Sequence, residues 1–106
     1  MVLGGCMPSH RVEYLKSKQI YLLLDDHRDD IGHYIVYELE HMPKHDQLRI
    51  ELEALRKQSG AVSVKSLGDF DDRYESGYVY LLLVRKVTSQ GKKSVTYTYV
   101  KTELKQ

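Results

Sequence analysis

The stretch HMPKHDQLRIELEALRKQSGAV, from His41 to Val62, decides the fold that this sequence predicts. Three leucines recur at the i, i+4 and i+7 spacing of one helix face: Leu48, Leu52 and Leu55. Gly60 stands where a helix commonly ends in a left-handed residue, and a short apolar run follows it. The stretch therefore predicts an amphipathic helix from Asp46 to Ser59.

Two more helices are predicted before this stretch. Residues 11–24 place apolar side chains at helical spacing, although their end, QIYLLL at 19–24, fits a buried strand equally well. The run DDHRDD then offers Asp29 or Asp30 as an N-cap, and Pro43 ends the helix that follows. The apolar stripe of that helix recurs every fourth residue: Ile31, Ile35 and Leu39.

Strand patterns dominate the rest of the chain. Residues 61–67 alternate between apolar and polar side chains, and the acidic loop 68–77 is bounded by glycines. Two β-rich segments, 78–87 and 94–104, are joined by the turn TSQGKK at 88–93. The sequence thus predicts an α+β fold, in which three helices precede a short strand and a β-hairpin.

Length and composition indicate one globular domain. The chain has 106 residues, 42% of them hydrophobic and 29% charged, which suits a single core. We expect residues 11–106 to form this domain and residues 1–10 to be a flexible arm. No apolar run approaches the length of a membrane span, so no membrane contact is expected. The single Cys6 cannot form an internal disulfide, which favours a reducing, cytoplasmic location.

Charge is unevenly distributed although the formal net charge is only +1. Residues 25–42 hold six acids and one arginine, a sum of −5. Residues 84–106 hold six bases and one acid, a sum of +5. A chain polarised in this way presents a basic end to a partner, and nucleic acid is the first class of partner to consider.

The predicted elements resemble the winged helix-turn-helix family over residues 20–100. The resemblance is carried by the turn MPKH, the three leucines, Gly60 and four neighbouring residues: Glu38, Leu39, Val62 and Val64. It implies that the second helix of the motif enters the major groove of DNA. It also implies that the hairpin acts as a wing along the backbone or in the minor groove.

The chain is also similar to the ribbon-helix-helix family of plasmid-partition and repressor proteins. That similarity is carried by QIYLLLDD, residues 19–26, followed by two helices around the proline-containing turn. It implies a strand from each of two chains reading the major groove. The apolar character of both faces of residues 19–24 departs from that family, and the residues after Gly60 are left unexplained.

The predicted DNA-binding residues fall into two groups. The helix and the turn before it supply the residues nearest the bases: Lys44, His45, Gln47, Arg49 and Ile50. Among these, Ile50 would contact a thymine methyl group. The hairpin supplies the positive charge of the wing: Arg85, Lys86, Lys92 and Lys93. Three acidic residues make the helix about neutral: Asp46, Glu51 and Glu53. DNA affinity is therefore expected to depend mainly on the wing.

Metal, cofactor and catalytic sites are not predicted. His41 and His45 are four residues apart, but Pro43 breaks the helical face that would bring them together. The acids of DDHRDD are explained by helix capping and the helix dipole. Nothing in the sequence supplies the remaining parts of a nuclease or another enzyme.

The hypothesis from the sequence is a cytoplasmic homodimer that binds double-stranded DNA, specifically or as an architectural protein. Its role would be transcription regulation or the maintenance of a plasmid or viral genome. Subunits would pair through residues 11–24 and a tyrosine stripe on the hairpin: Tyr78, Tyr80, Tyr97 and Tyr99. The alternative is a non-enzymatic protein–protein adaptor, since opposed acidic and basic ends can drive assembly with a second protein.

Overall fold

A computed structural model of the chain describes residues 15–44, 46–89, 91 and 94–106. Its elements in chain order are β1 (Leu15–Arg28), β2 (Tyr34–Leu39), α1 (Leu48–Arg56), β3 (Val62–Val64), a 3-10 helix (Gly68–Asp72), β4 (Tyr80–Ser89) and β5 (Ser94–Lys105). The five strands of the described residues form one sheet in the order β3-β2-β1-β4-β5, with every neighbouring pair antiparallel. The long strand β1 is therefore at the centre.

The predicted winged helix-turn-helix fold, with three helices and a wing, is wrong. Across the described residues there is one α-helix, and the chain is mostly antiparallel sheet. The described part of the predicted first helix lies in β1, and six residues of the predicted second helix form the neighbouring strand β2. The ribbon-helix-helix resemblance requires two helices, but in the described residues only the second is present, as α1, because β2 stands in place of the first.

The incorrect prediction of a helix in residues 29–43 has a physical explanation. Residues four apart lie on one face of a helix, but they also lie on one face of a strand, where side chains repeat every second residue. Ile35 and Leu39 share the face of β2 that packs against the helix α1, whereas Ile31 lies in a turn and is exposed. The intervening Val36 is fully buried on the other face, so β2 is apolar on both sides.

Three predicted elements are found. The strand predicted within residues 61–67 is β3, Val62–Val64. The helix within residues 46–59 is α1, Leu48–Arg56, and it buries Leu48 and Leu52 as its leucine spacing predicts. The predicted hairpin is the pair β4 and β5, which holds from Ser89 opposite Ser94 to Tyr80 opposite Lys105, with two bulges.

Each face of the sheet has its own covering layer and its own core. The face covered by α1, called the helix face, buries six residues: Leu23, Tyr37, Leu48, Leu52, Val79 and Leu81. The opposite face, called the loop face, is covered by the 3-10 helix, and Phe70 of that helix is fully buried there. Because both faces are covered, the central strands are apolar on both sides, which explains why residues 20–24 lack alternation.

The tyrosine stripe predicted at a dimer interface packs mostly within the chain. Phe70 lies at the centre of an aromatic cluster on the loop face, with ring centroids 4.9 Å from Tyr80 and 5.4 Å from Tyr99. Tyr97 is buried on the same face, whereas Tyr78 is partly exposed. Residues 21–24 of β1 are paired with both β2 and β4, whereas the pairing of residues 15–20 is with β4 alone, so subunit pairing through this part of β1 stays a prediction.

The sheet curls around its loop face. Glu38 lies on β2 and Tyr97 on β5, with β1 and β4 between them, yet the Tyr97 hydroxyl donates to the Glu38 carboxylate. Residues of both edge strands, β3 and β5, line one groove of about 520 Å³. The curl makes the loop face concave, so side chains from distant strands approach one another there.

Candidate nucleic-acid interface

Positive charge collects at one end of the sheet, beyond the part that α1 covers. This end, called the cationic end, consists of residues 15–20 of β1, 84–89 of β4 and 94–98 of β5. These three segments contain four bases and no acid. Antiparallel pairing therefore builds a three-stranded surface with no carboxylate of its own.

The loop face of the cationic end carries a groove lined by three lysines. Strand register places Lys18 opposite Lys86 and Lys16 opposite Thr88. These four residues and Ser17 line a groove of about 580 Å³, which we call the lysine groove. Like charges directly opposite on neighbouring strands destabilise a sheet, so this arrangement needs an anion nearby.

Two carboxylates from outside the cationic end supply that negative charge. Lys86 Nζ lies 2.8 Å from Glu38 Oε1, and Lys18 Nζ lies 2.9 Å from Glu40 Oε2. Burial opposes ionisation of Glu38, but hydrogen bonds from Lys86 and Tyr97 outweigh it and hold the pKa of Glu38 below its usual value. The hydrogen bond from Lys18 likewise lowers the pKa of Glu40. Both carboxylates are therefore charged at neutral pH.

Tyr97 fixes the position of Glu38. Its hydroxyl is buried and donates to Glu38 Oε2, while the other oxygen of Glu38 accepts from Lys86. Burial, and then the hydrogen bond to the carboxylate, raise the pKa of Tyr97 well above its usual value. The tyrosine is thus a neutral hydrogen-bond donor that holds Glu38 over the sheet.

The predicted DNA-binding residues do not form one surface. Arg85 and Lys86 are consecutive on β4, so they project from opposite faces, Lys86 into the lysine groove and Arg85 from the other side. The start of α1 lies at the far end of the sheet, where the Leu48 amide donates to the Gln106 side chain at 2.7 Å. Gln47 and Ile50 are exposed there, away from the cationic end, and Lys44 is exposed in the segment that leads to α1.

The Arg49 side chain is exposed, but its guanidinium is bound to other residues of the chain. Its Nη1 lies 3.1 Å from Asp26 Oδ2, and its Nη2 donates to the Gly77 carbonyl at 2.8 Å. His45, Lys92 and Lys93 lie outside the described residues, as do Cys6 and the predicted arm, residues 1–10.

Sequence reasoning missed the N-terminal half of the groove. Lys16 and Lys18 alternate with polar residues in KSKQ, which is the period-two signal of a strand with both lysines on one face. The helical interpretation of residues 11–24 scattered these lysines around a helix. Glu38 and Glu40 were likewise placed on a helix, so their approach to the lysines was not predicted.

Asp25, Asp26 and His27 bring possible metal-ligand atoms within 4.8 Å of one another. These atoms already have cationic partners, because Arg56 Nη2 lies 2.5 Å from Asp25 Oδ1 and Arg49 bonds Asp26. Two guanidinium groups would oppose a bound cation at this place. The cluster is better described as an ion-pair network that joins α1 to β1.

Ser63, His33 and Asp29 are also close together, but their connections differ from those of a catalytic triad. The Ser63 hydroxyl donates to Asp29 Oδ2 at 3.0 Å and contacts His33 Nδ1 at 3.1 Å. A triad needs the histidine between the serine and the carboxylate, so that imidazole takes the serine proton. Asp29 instead also accepts the Ile31 and His33 amides, which closes the turn between β1 and β2.

The ion-pair network predicts a pH dependence of stability. The hydrogen bond to Asp26 raises the pKa of His27 above 6.5, and the bond from His27 is the main cause that lowers the pKa of Asp26 to about 2. The histidine contribution is present below pH 6.5 and is lost as pH rises through the raised value. The Asp26 contribution is present above its usual pKa of 3.8 and is lost as pH falls toward 2.

We therefore expect the free energy of unfolding to be higher near about pH 5.5 than near about pH 8.5. His27 is 58% exposed, so its share should stay below about 1 kcal/mol. Urea unfolding of the wild type and of His27→Gln at both pH values measures that share. The variant should lose part of the pH dependence; an unchanged dependence would assign it to other histidines.

Comparison with known proteins leaves the function to be argued from the chain's own residues. No protein-family model matches the chain. No curated protein matches it, and no solved structure does. These comparisons support neither the winged helix-turn-helix nor the ribbon-helix-helix resemblance. In the part of the chain that the structure describes, no helix is both long enough and apolar enough to cross a membrane.

Proposed function

We propose that this chain is a non-enzymatic protein that binds double-stranded DNA through the cationic end of its sheet, with the lysine groove facing a phosphate backbone. The observation that carries the proposal is the register of β1 and β4, which gathers Lys16, Lys18 and Lys86 in one groove. Binding of this kind replaces condensed counterions by lysines and does not depend on base sequence. An architectural role in genome maintenance fits it better than sequence reading by a helix.

The side chains of the groove suit a phosphate backbone. A lysine ammonium is a point charge with three donors, which contacts phosphate oxygens without a fixed orientation. Thr88 adds a hydroxyl donor of the kind that positions a protein on phosphate and sugar. Neighbouring strands are about 4.8 Å apart, so the three strands are about 10 Å wide and fit within one groove width of a duplex.

The adaptor alternative depends on an acidic pole that is free to meet a partner. Five of the six acids in residues 25–42 are already engaged within the chain: Asp25, Asp26, Asp29, Glu38 and Glu40. The basic residues of the cationic end have fewer partners, and no ion pair of Lys16 or Arg85 is present among the described residues. The charge distribution thus favours binding of an external anion. A homodimer on DNA stays a prediction.

Two neighbouring residues on opposite faces test the proposal. We expect Lys86→Gln to weaken duplex binding about five-fold at low salt. It should also reduce the slope of log affinity against log salt concentration by roughly one. Arg85→Gln removes the same charge from the adjacent position but from the other face, so it should have a clearly smaller effect. Fluorescence anisotropy with one labelled duplex measures both.

The comparison of the two variants identifies the face that contacts DNA. Equal losses would show that only the overall charge matters, and a larger loss with Arg85→Gln would place the duplex on the helix face. Either result would reject the lysine groove as the contact surface. Unfolding curves of both variants serve as the control, since each replaced side chain keeps a polar group of similar length.

A further inference from the structure

In the lysine groove two positive charges face each other, and a carboxylate contacts each of them. Lys18 and Lys86 face each other across neighbouring strands, which is unfavourable in the absence of negative charge. Glu38 and Glu40 reach over from β2 and from the residue after it, and each carboxylate contacts one of the two lysines. The groove is thus neutralised at two lysines, while Lys16 has no ion-pair partner among the residues described.

The carboxylates occupy the position of a ligand's oxygen atoms. Lysine-to-oxygen distances of 2.8 and 2.9 Å are those of a charge-assisted hydrogen bond, and a phosphate oxygen would take the same distance. A lysine that donates to a carboxylate has less of its charge available to a phosphate, and it releases fewer counterions from the DNA. The two carboxylates and a DNA phosphate therefore compete for the same ammonium groups.

We propose that Glu38 and Glu40 are built-in competitors of the DNA backbone, and that phosphates displace their carboxylates from Lys86 and Lys18 when the duplex binds. This inference rests on the function proposed above. It assigns the lysine groove a ligand, the backbone phosphate, and assigns the two acids a role in setting the affinity. Neutralising either acid raises the affinity for DNA instead of lowering it.

The two competitors differ in strength. The Glu40 side chain is 71% exposed and has Lys18 as its partner, so water replaces the lysine at little cost when a phosphate arrives. Glu38 is half-buried and held by Tyr97 as well, so losing Lys86 leaves a more poorly solvated carboxylate behind. Glu38 is therefore the stronger competitor, and its neutralisation has the larger effect.

Glutamine is the matched replacement at both positions. In Glu38→Gln the amide oxygen still accepts from Tyr97, so the packing of the buried tyrosine is kept. Glu40 is exposed, so Glu40→Gln is readily accommodated and keeps the test decisive even where Glu38→Gln disturbs the fold. The control is Glu75→Gln, which removes the partner of Lys105 at the opposite end of the sheet. It changes the net charge by the same amount.

The experiment is titration of a labelled random-sequence duplex with the wild type and the three variants over a series of salt concentrations. We expect Glu40→Gln to raise the affinity about two-fold and Glu38→Gln about five-fold at low salt, with Glu75→Gln near the wild type. Each lysine that is released from its carboxylate also makes the slope of log affinity against log salt concentration steeper, by up to about 0.9. A merely structural role for the acids would not steepen it.

The outcomes separate this inference from the proposed function. If the wild type binds the duplex and the Glu38 and Glu40 variants bind no more tightly than Glu75→Gln, the competition is absent and the inference fails alone. If neither the wild type nor Glu40→Gln binds at low salt, the proposed function fails with it. Tighter and more salt-sensitive binding by Glu38→Gln and Glu40→Gln supports both.

Discussion

Replacing Arg56 with methionine is expected to lower the free energy of unfolding by about 3 kcal/mol, the largest stability effect that we predict for a single substitution. Asp25 is only 4% exposed, and Arg56 bonds both of its oxygens, Nη2 to Oδ1 at 2.5 Å and Nε to Oδ2 at 3.1 Å. Methionine keeps the aliphatic stem but leaves a buried carboxylate without its cation. The Arg56 side chain is 35% exposed, which places the expected loss at the low end of the range for a broken buried ion pair.

Urea unfolding of three variants tests this role of Arg56. Lys57→Met is the matched control, because it removes the same charge from the next, exposed position of the chain. The double variant Asp25→Leu with Arg56→Met should recover most of the lost stability, since replacing a buried ion pair by apolar side chains is often neutral. An Arg56→Met variant as stable as Lys57→Met would show that the network does not hold α1 on the sheet.

Replacing all three groove lysines with glutamine is expected to abolish most DNA binding. The variant Lys16→Gln, Lys18→Gln, Lys86→Gln should bind a duplex on the order of 100-fold more weakly at low salt. The slope of log affinity against log salt concentration should be smaller by up to roughly 2.7, about 0.9 for each lysine lost. Anisotropy titrations of the variant and the wild type measure both quantities.

The triple variant should remain folded. Removing like charges that face each other on neighbouring strands relieves repulsion, and glutamine can still donate to Glu38 and Glu40. Its thermal unfolding temperature should therefore lie near that of the wild type. A folded triple variant that retained wild-type affinity would exclude the lysine groove as the DNA contact.

The hairpin and α1 could be predicted from the sequence because their signals are local. The leucines of α1 recur at helical spacing, and a glycine-containing turn separates the two β-rich segments of the hairpin. For β1 and β2 the local signal was ambiguous. Their centres are buried on both faces by the helix and by the 3-10 helix, so the alternation that marks a half-exposed strand is missing.

One of the three groove lysines could be predicted from the sequence, and the two others could not, because their strand was not recognised. Lys86 was identified because its hairpin was recognised. Lys16 and Lys18 were not, because a helix does not place residues two apart on one face. The pairing of Lys18 with Lys86 depends on the register of strands that are more than sixty residues apart in the chain. Local patterns alone do not fix such a register.

The most direct test of the central claim is titration of the full chain onto a labelled random-sequence duplex at roughly 50 and 200 mM salt. We expect a dissociation constant on the order of micromolar at the lower salt concentration. Between the two concentrations, the slope of log affinity against log salt concentration should be clearly negative, up to about −2.7 for three lysine–phosphate contacts. No binding at the lower concentration, or binding that salt does not weaken, would contradict the assignment of the lysine groove to a DNA backbone.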